Sequence, residues 1–386
     1  MERPLIGFVY ADIAAHNPSV PSINQALLET PGVRVQGLEV SKASSVTARQ
    51  LVDDSDVIVV ESSCLLGRVE ATGEPKYRRF ENNVDPKVVS GFFDMIWESN
   101  STIVLLEGNY DLHAPLGFGL SAREMERIDY LIWPYTAEPV SYNSSARPAR
   151  YFEPWTTAKL DPLDNWRRIT RLIPKQIEYH HALGAADFGT PGPAQLWDAI
   201  VPGARYITRE IASTSVRQEG LSLAPYHGLD KTLRIGTSAV GSLWGRAGDV
   251  VRFNLRRANM RQLMRYSGSA YVCGGGYEYF VRKFLEVPAL GLPMFGYPVE
   301  PLSRLGFQAD EHYVPTLPEN FGQHLLKARR DPARPLSAMA QRSQLLVHRF
   351  HTARTRAQNL LDLVSGTRDK AFHKAVFVNG SIVPVK

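Results

Sequence analysis

Two glutamates, Glu278 and Glu286, stand eight positions apart behind a triple glycine, Gly274-Gly275-Gly276. A carboxylate only accepts hydrogen bonds and can grip two vicinal hydroxyls, such as those of a ribose or a hexose. The apolar run Ala270-Tyr271-Val272-Cys273 precedes the glycines, and Gly291-Leu292-Pro293 follows the second glutamate. An apolar strand, a glycine loop and then a helix is how open α/β sheets present a helix N-terminus to a phosphate or a sugar. Eight residues is just over two helical turns, so a continuous helix sets both glutamates near one face. Pro288 predicts that this helix bends or ends near Glu286. The plainer reading is an amphipathic helix with solvated glutamates and with Phe284, Leu285 and Val287 in the core.

The stretch resembles the Glu-x7-Glu motif of retaining, GT-B-fold glycosyltransferases. The run RKFLEVPALGLPMFGYP is similar to the C-terminal domain of the group-1-like bacterial transferases that carry R-x-F-E-A-x-A-x-G-x-P. The similarity covers residues 232–362. Pro288 departs from the alanine-rich continuation of that family. The resemblance implies a metal-independent enzyme that moves a sugar from a nucleotide-sugar donor to a glycan, lipid-linked or other hydroxyl acceptor, with retention. It implies no cofactor. Carried over by position, Glu286 is the ribose ligand and Glu278 the sugar-side carboxylate. Gly275, Gly276 and Tyr277 bring backbone N–H groups near the sugar or phosphate.

Glycosyl transfer also needs positive charge on the leaving diphosphate and a polar cage around the sugar. Arg282 and Lys283 lie within the motif. The family's phosphate-binding cations come earlier in the C-terminal domain, so Arg246, in the loop GSLWGR, is the preferred candidate. Gly184 is a competing match for the glycine loop that such a cation would follow. On the other side of the site, His113 follows the apolar run 102–107 within six residues. The resemblance places a histidine of this kind over the transferred sugar. Asp111 is the alternative, as a general base in an inverting reaction. His180 and His181 point to opposite faces of an extended chain and cannot share one metal. Asp54-Ser55-Asp56 precedes a strand rather than following one, so no metal-binding Asp-x-Asp loop is expected.

At 386 residues the chain suits two domains, and 44% hydrophobic with 22% charged residues fits a globular protein. No apolar run approaches the roughly 18 residues of a membrane span. The N-terminus lacks a basic segment followed by a long apolar one, so no signal peptide is expected and the cytoplasm is the expected compartment. Two cysteines, Cys64 and Cys273, make no disulfide framework. The net charge of +5 favours an anionic ligand, an anionic membrane surface at its inner face or an acidic polymer. Arg257, Arg261 and Arg265 recur every four residues and form a helical stripe, either solvated or facing phosphate or lipid headgroups. Nucleic acid is not an expected partner, since no clustered aromatic and basic segment is present.

Elements that must position these residues follow from the pattern. Strands are expected at 5–10, 33–40, 57–61, 102–107 and 128–134, with helices at 22–29, 48–52 and 87–99 between them. That alternation predicts a mostly parallel, doubly wound sheet. Residues 136–165 read as a linker, with a bracing helix over 165–172 and a second α/β unit opening on a strand at 177–183. Further helices are expected at 204–219 and 260–266, with strands at 221–225, 270–273 and 292–295. A long helix over 336–364 and a tail over 371–385 return to the first domain. The expected architecture is α/β, two Rossmann-like domains facing a central cleft. The expected bounds are 1–164 for the acceptor side, 165–345 for the donor side and 346–386 for the returning helix and tail. The alternatives are an epimerase of the same fold, a non-catalytic two-domain sugar- or nucleotide-binding protein, and a nucleic-acid-modifying glycosyltransferase.

Overall fold

The computed structural model describes residues 5–10, 19–30, 34–40, 44–61, 64, 86–106, 121–133, 171, 173, 175–178, 181–203, 207–226, 255, 257–274, 280–368 and 374–385. The first elements are β1 (Leu5–Tyr10), α1 (Ser19–Glu29), β2 (Arg34–Glu39), α2 (Ser45–Asp54) and β3 (Val57–Glu61). They continue with α3 (Pro86–Glu98), β4 (Thr102–Leu106), α4 (Ala122–Glu126), β5 (Tyr130–Trp133) and β6 (Gln176–Glu178). Next come α5 (Ile207–Gln218), α6 over 257–265, β7 (Ala270–Val272), α7 (Lys283–Ala289), β8 (Met294–Gly296), α8 (Pro301–Arg304) and β9 (Val314–Pro315). Last are α9 (Phe321–Arg329), α10 (Leu336–Phe350), α11 (Ala353–Arg368), β10 (Lys374–Val378) and β11 (Ser381–Val385).

β3 has the sequence VIVVE and is buried along its whole length. An uninterrupted β-branched run suits a parallel strand covered on both faces. It lies between β1 and β4 in an eight-stranded sheet of order β11-β10-β6-β5-β4-β3-β1-β2. All pairs are parallel except the terminal hairpin β10–β11. Successive β3 side chains serve opposite faces. Ile58 and Val60 pack with Leu51 of α2 and with Phe92, Phe93 and Ile96 of α3. Val57 and Val59 pack with Ile23 and Leu27 of α1 and with Leu360, Leu361 and Val364 of α11.

The second sheet, β7-β8-β9, is also parallel. It is extended beyond β7 by two short bridges. Ala199 pairs with Leu223 and Ile200 with Ala270, both in parallel. Helix α7 faces this sheet with Phe284, Leu285 and Val287, all fully buried. On the other side α5 and α9 press together at Gly322, where a Cβ would come within 2.3 Å of the Ser215 carbonyl oxygen. The chain is therefore an α/β protein on two parallel sheets, with the C-terminal helix and hairpin returning to the first.

Several expectations change. The stretch around Ile177 does not open the second unit, because β6 pairs with β5 and β10 in the first sheet. The long helix expected over 336–364 is two helices that break at His351-Thr352. Leu183 pairs there with the backbone, its N–H donating to the His351 carbonyl at 3.0 Å and its carbonyl accepting from the Ala353 N–H at 2.8 Å. Thr352 then caps the new helix by accepting the Thr355 N–H at 3.1 Å. The expected linker at 136–165 lies outside the described residues. Both cysteines are buried and free. Among the described residues, no helix is long and apolar enough to cross a membrane.

Candidate functional site

Helix α7 begins only at Lys283, and Phe280 and Val281 before it are not helical. No continuous helix therefore runs over 280–286, and Glu278 lies outside the described residues. Glu286 sits instead in the first turn of α7, where the backbone N–H groups favour a carboxylate. Pro288 lies inside the last turn, and the helix ends at Ala289. Glu286 is also not solvated. It is 6% exposed, and its Oε1 accepts a hydrogen bond from Arg282 Nη1 across one turn.

Arg282 reaches further. Its Nη2 donates to Asp187 Oδ2 at 2.5 Å and its Nε to the Ala182 carbonyl at 3.4 Å. Asp187 closes the short 3-10 turn Ala185–Asp187 and is 3% exposed. The same Oδ2 accepts the Gly184 N–H at 2.9 Å, and Oδ1 accepts from Arg257 and Arg261 of α6. The basic stripe of α6 is thus turned inward. Arg265, its third member, donates from Nε to the Thr190 carbonyl at 3.1 Å.

A second pair of cations meets at Gly203. This residue follows the buried Ala199-Ile200-Val201 segment and has φ +118°, a conformation that favours glycine. A Cβ there would lie 2.6 Å from Arg209 Nη1 and 3.0 Å from Lys283 Cε. Arg209, in the first turn of α5, is 4% exposed and donates from Nη2 to the Cys273 carbonyl at 2.9 Å. Cys273 follows β7 directly, so both cations sit at the C-terminal edge of a parallel sheet, where such sheets bind ligands.

The charge balance is uneven. Arg209, Arg257, Arg261, Arg282 and Lys283 surround two carboxylates, Asp187 and Glu286. Burial alone would raise the Glu286 pKa, but Arg282, Lys283, Arg257 and Arg261 overcome it and hold the group below its ordinary value. Burial pushes Lys283 down, Glu286 pulls it back up, and Arg209, Arg282 and Arg257 push it down again, with a net fall. Arg257 falls to about 10, through burial and then through the Arg282 charge. The buried charges balance, and the half-buried Arg257, Arg261 and Lys283 leave a surplus of positive charge beside a glycine turn, which suits an anion such as a diphosphate.

Of the site residues expected from the sequence, Glu286, Arg282 and Lys283 fall in this one cluster. Glu278, Gly275, Gly276, Tyr277, Arg246, Asp111 and His113 lie outside the described residues. Sequence reasoning missed Asp187, Gly203 and Arg209. The Pro202-Gly203 pair after an apolar run was a signal for the second, though the run is only three residues long. Asp187 gave none, because its partners Arg257 and Arg261 are 70 and 74 positions away. Among the described residues, no group of three His, Cys, Asp or Glu side chains is arranged to hold a metal ion.

No protein-family profile matches the chain, and no curated protein matches it. Solved structures do align with it. A structure of the Anabaena protein HepE in complex with UDP covers 94% of this chain and 100% of its own, at 10% identity and a TM-score of 0.49. The same protein in complex with UDP and glucose aligns over the same shares at a TM-score of 0.46. The pneumococcal O-GlcNAc transferase GtfA, in complex with UDP and GlcNAc, aligns over 80% of this chain and 56% of its own, at 9% identity and a TM-score of 0.39.

Proposed function

We propose that this protein is a glycosyltransferase that takes a sugar from a nucleotide-sugar donor and passes it to a glycan, lipid-linked or other hydroxyl acceptor. The observation that carries the reading is Glu286. It is a buried, ionised carboxylate in the first turn of a helix, at the ligand-binding edge of a parallel sheet, within a surplus of cations. Among the described residues only its Oε1 is engaged, by Arg282. Oε2 faces a ribose diol in this reading. Arg209 and Lys283, converging on Gly203, take the donor diphosphate. Arg246, the preferred cation from the sequence, is kept beside them as a further cation for the phosphate.

The remaining assignments follow the motif. Gly275, Gly276 and Tyr277 bring backbone N–H groups to the sugar, and Glu278 contacts its hydroxyls. His113 or Asp111 faces the sugar from the first unit across a cleft. Transfer proceeds with retention, without a metal or cofactor, at the cytoplasmic side of an anionic membrane or in the cytoplasm. The donor side is the unit around the second sheet, and the acceptor side is the unit around the first.

The test is calorimetry with UDP, GDP and ADP, followed by donor hydrolysis and transfer assays with the corresponding nucleotide sugars. Binding of at least one diphosphate, weakened by Glu286→Gln, is expected. No binding of any of them would overturn the reading. Binding without turnover toward any acceptor would make the chain a non-catalytic nucleotide-binding protein.

A further inference from the structure

Asp187 gathers four donors on one buried carboxylate. Gly184 N–H and Arg282 bind Oδ2, and Arg257 and Arg261 bind Oδ1. These donors come from three separate pieces of chain: the turn at 184–187, helix α6 and the start of α7. Arg282 is the shared member. It gives Nη2 to Asp187 and Nη1 to Glu286, and both contacts are buried. A guanidinium is planar, with its donors in a fixed fork, so fixing one Nη fixes the direction of the other. Holding Arg282 from Asp187 therefore sets where Arg282 holds Glu286.

We infer that Asp187 is a positioning residue of the donor site, which acts through Arg282 to set the Glu286 carboxylate for the ribose. It touches neither sugar nor phosphate. Its second effect is on Arg257 and Arg261, which it keeps turned toward the 185–190 turn rather than toward solvent. The inference rests on the reading of Glu286 as ribose ligand. Without Asp187 the Arg282 fork loses one of the contacts that fix it, and the carboxylate it holds loses its set direction toward the diol.

A mutational cycle distinguishes positioning from simple structural support. Diphosphate affinity is measured by calorimetry with UDP, GDP and ADP on the full chain. The variants are Asp187→Asn, Glu286→Gln and the double substitution. Asparagine keeps an acceptor for the Gly184 N–H but removes the charge that holds three arginines. Each single variant is expected to weaken binding roughly tenfold, the scale of one lost charged hydrogen bond. The double variant is expected to bind no more weakly than Glu286→Gln alone, since Asp187 works through Glu286. Losses that multiply in the double variant, or an Asp187→Asn protein that binds like wild type, overturn the inference and leave the Glu286 reading standing. A Glu286→Gln protein that binds like wild type overturns both. If Asp187→Asn does not fold, Arg282→Lys goes through the same cycle and is read the same way, since it keeps the charge but loses the planar fork that joins Asp187 to Glu286.

Discussion

Arg282 and Glu286 stand one helical turn apart at the start of α7, and the arginine Nη1 donates to the glutamate Oε1 in a buried ion pair. The pair lies within the short segment that also carries Lys283, so one helix start supplies both the carboxylate proposed for the diol and a cation proposed for the phosphate. A buried carboxylate left without its guanidinium is costly, whereas the pair together is close to neutral in energy.

Glu286 gives the protein an acid-sensitive component of stability. Burial would raise its pKa, and the neighbouring cations lower it below the ordinary 4.5. A depressed carboxylate stabilises the fold fully above its unfolded value and loses that contribution as pH falls through the folded value. Urea unfolding of wild type and Glu286→Gln across pH 3–7 measures this. The gap between the two proteins is expected to be constant above about pH 4.5 and to shrink below it. A gap that does not depend on pH in that range would show that the carboxylate charge contributes nothing to stability.

Lys283 gives the opposite edge. Burial and then the Arg209, Arg282 and Arg257 charges outweigh Glu286 and lower its pKa from 10.5. The ammonium is therefore lost at a lower pH than that of an exposed lysine. Diphosphate affinity is expected to decline in the alkaline range before pH 10.5 is reached. Lys283→Arg holds its charge there and should flatten the decline, while Lys283→Ala should bind weakly at every pH. Calorimetry from pH 7 to 10 reads the difference. Identical profiles for wild type and Lys283→Arg would remove Lys283 from the phosphate site.

The first sheet was legible because its strands are apolar runs such as VIVVE and the helices between them show clear periodicity. The second was less so. Its strands are two or three residues long, and Ala199-Ile200 joins it only through single bridges. Residues 336–364 look like one helix because the cause of the break is Leu183, more than 150 positions earlier. The same distance effect hid the site. Glu286 and its basic neighbours were visible as a local motif. The carboxylate that organises them was not, because Asp187 meets Arg282 and α6 only after folding.

Arg356 marks the crossing between the two parts of the chain. It is fully buried. It donates from Nη1 to the Phe350 carbonyl at 3.2 Å, from Nε to the His181 carbonyl at 3.4 Å and from Nη2 to His351 Nδ1 at 2.6 Å. Its guanidinium carbon lies 4.4 Å from the centre of the Phe377 ring. His351 Nε2–H in turn donates to the Leu305 carbonyl at 2.9 Å. Arg356→Met keeps the length of the stem but leaves these acceptors without their donor. It is expected to lower unfolding free energy by about 3 kcal/mol or more, since it orphans three acceptors and each unsatisfied buried one costs about 1–3 kcal/mol. Urea unfolding with unchanged stability would mean that the crossing is held by its backbone pairing alone.

Gly203 offers the sharpest separation of binding from folding. Its φ of +118° is a backbone state that side-chain-bearing residues rarely adopt, so Gly203→Ala strains the turn. The added methyl would also meet Arg209 Nη1 at 2.6 Å and Lys283 Cε at 3.0 Å. Both are ends of flexible side chains, so they move aside rather than break the core. The expected loss of stability is therefore modest, about 1–3 kcal/mol from the backbone strain. The expected loss of diphosphate affinity is larger in proportion, because both cations proposed for the phosphate are displaced together. Nucleoside binding should change little, since the three atoms nearest the added methyl belong to Arg209 and Lys283 rather than to Glu286. Calorimetry with uridine and UDP on wild type and Gly203→Ala checks this, with thermal unfolding run beside it. Equal proportional losses for nucleoside and diphosphate would mean that the variant disturbs the whole site. No loss for either would place the diphosphate away from the Gly203 turn.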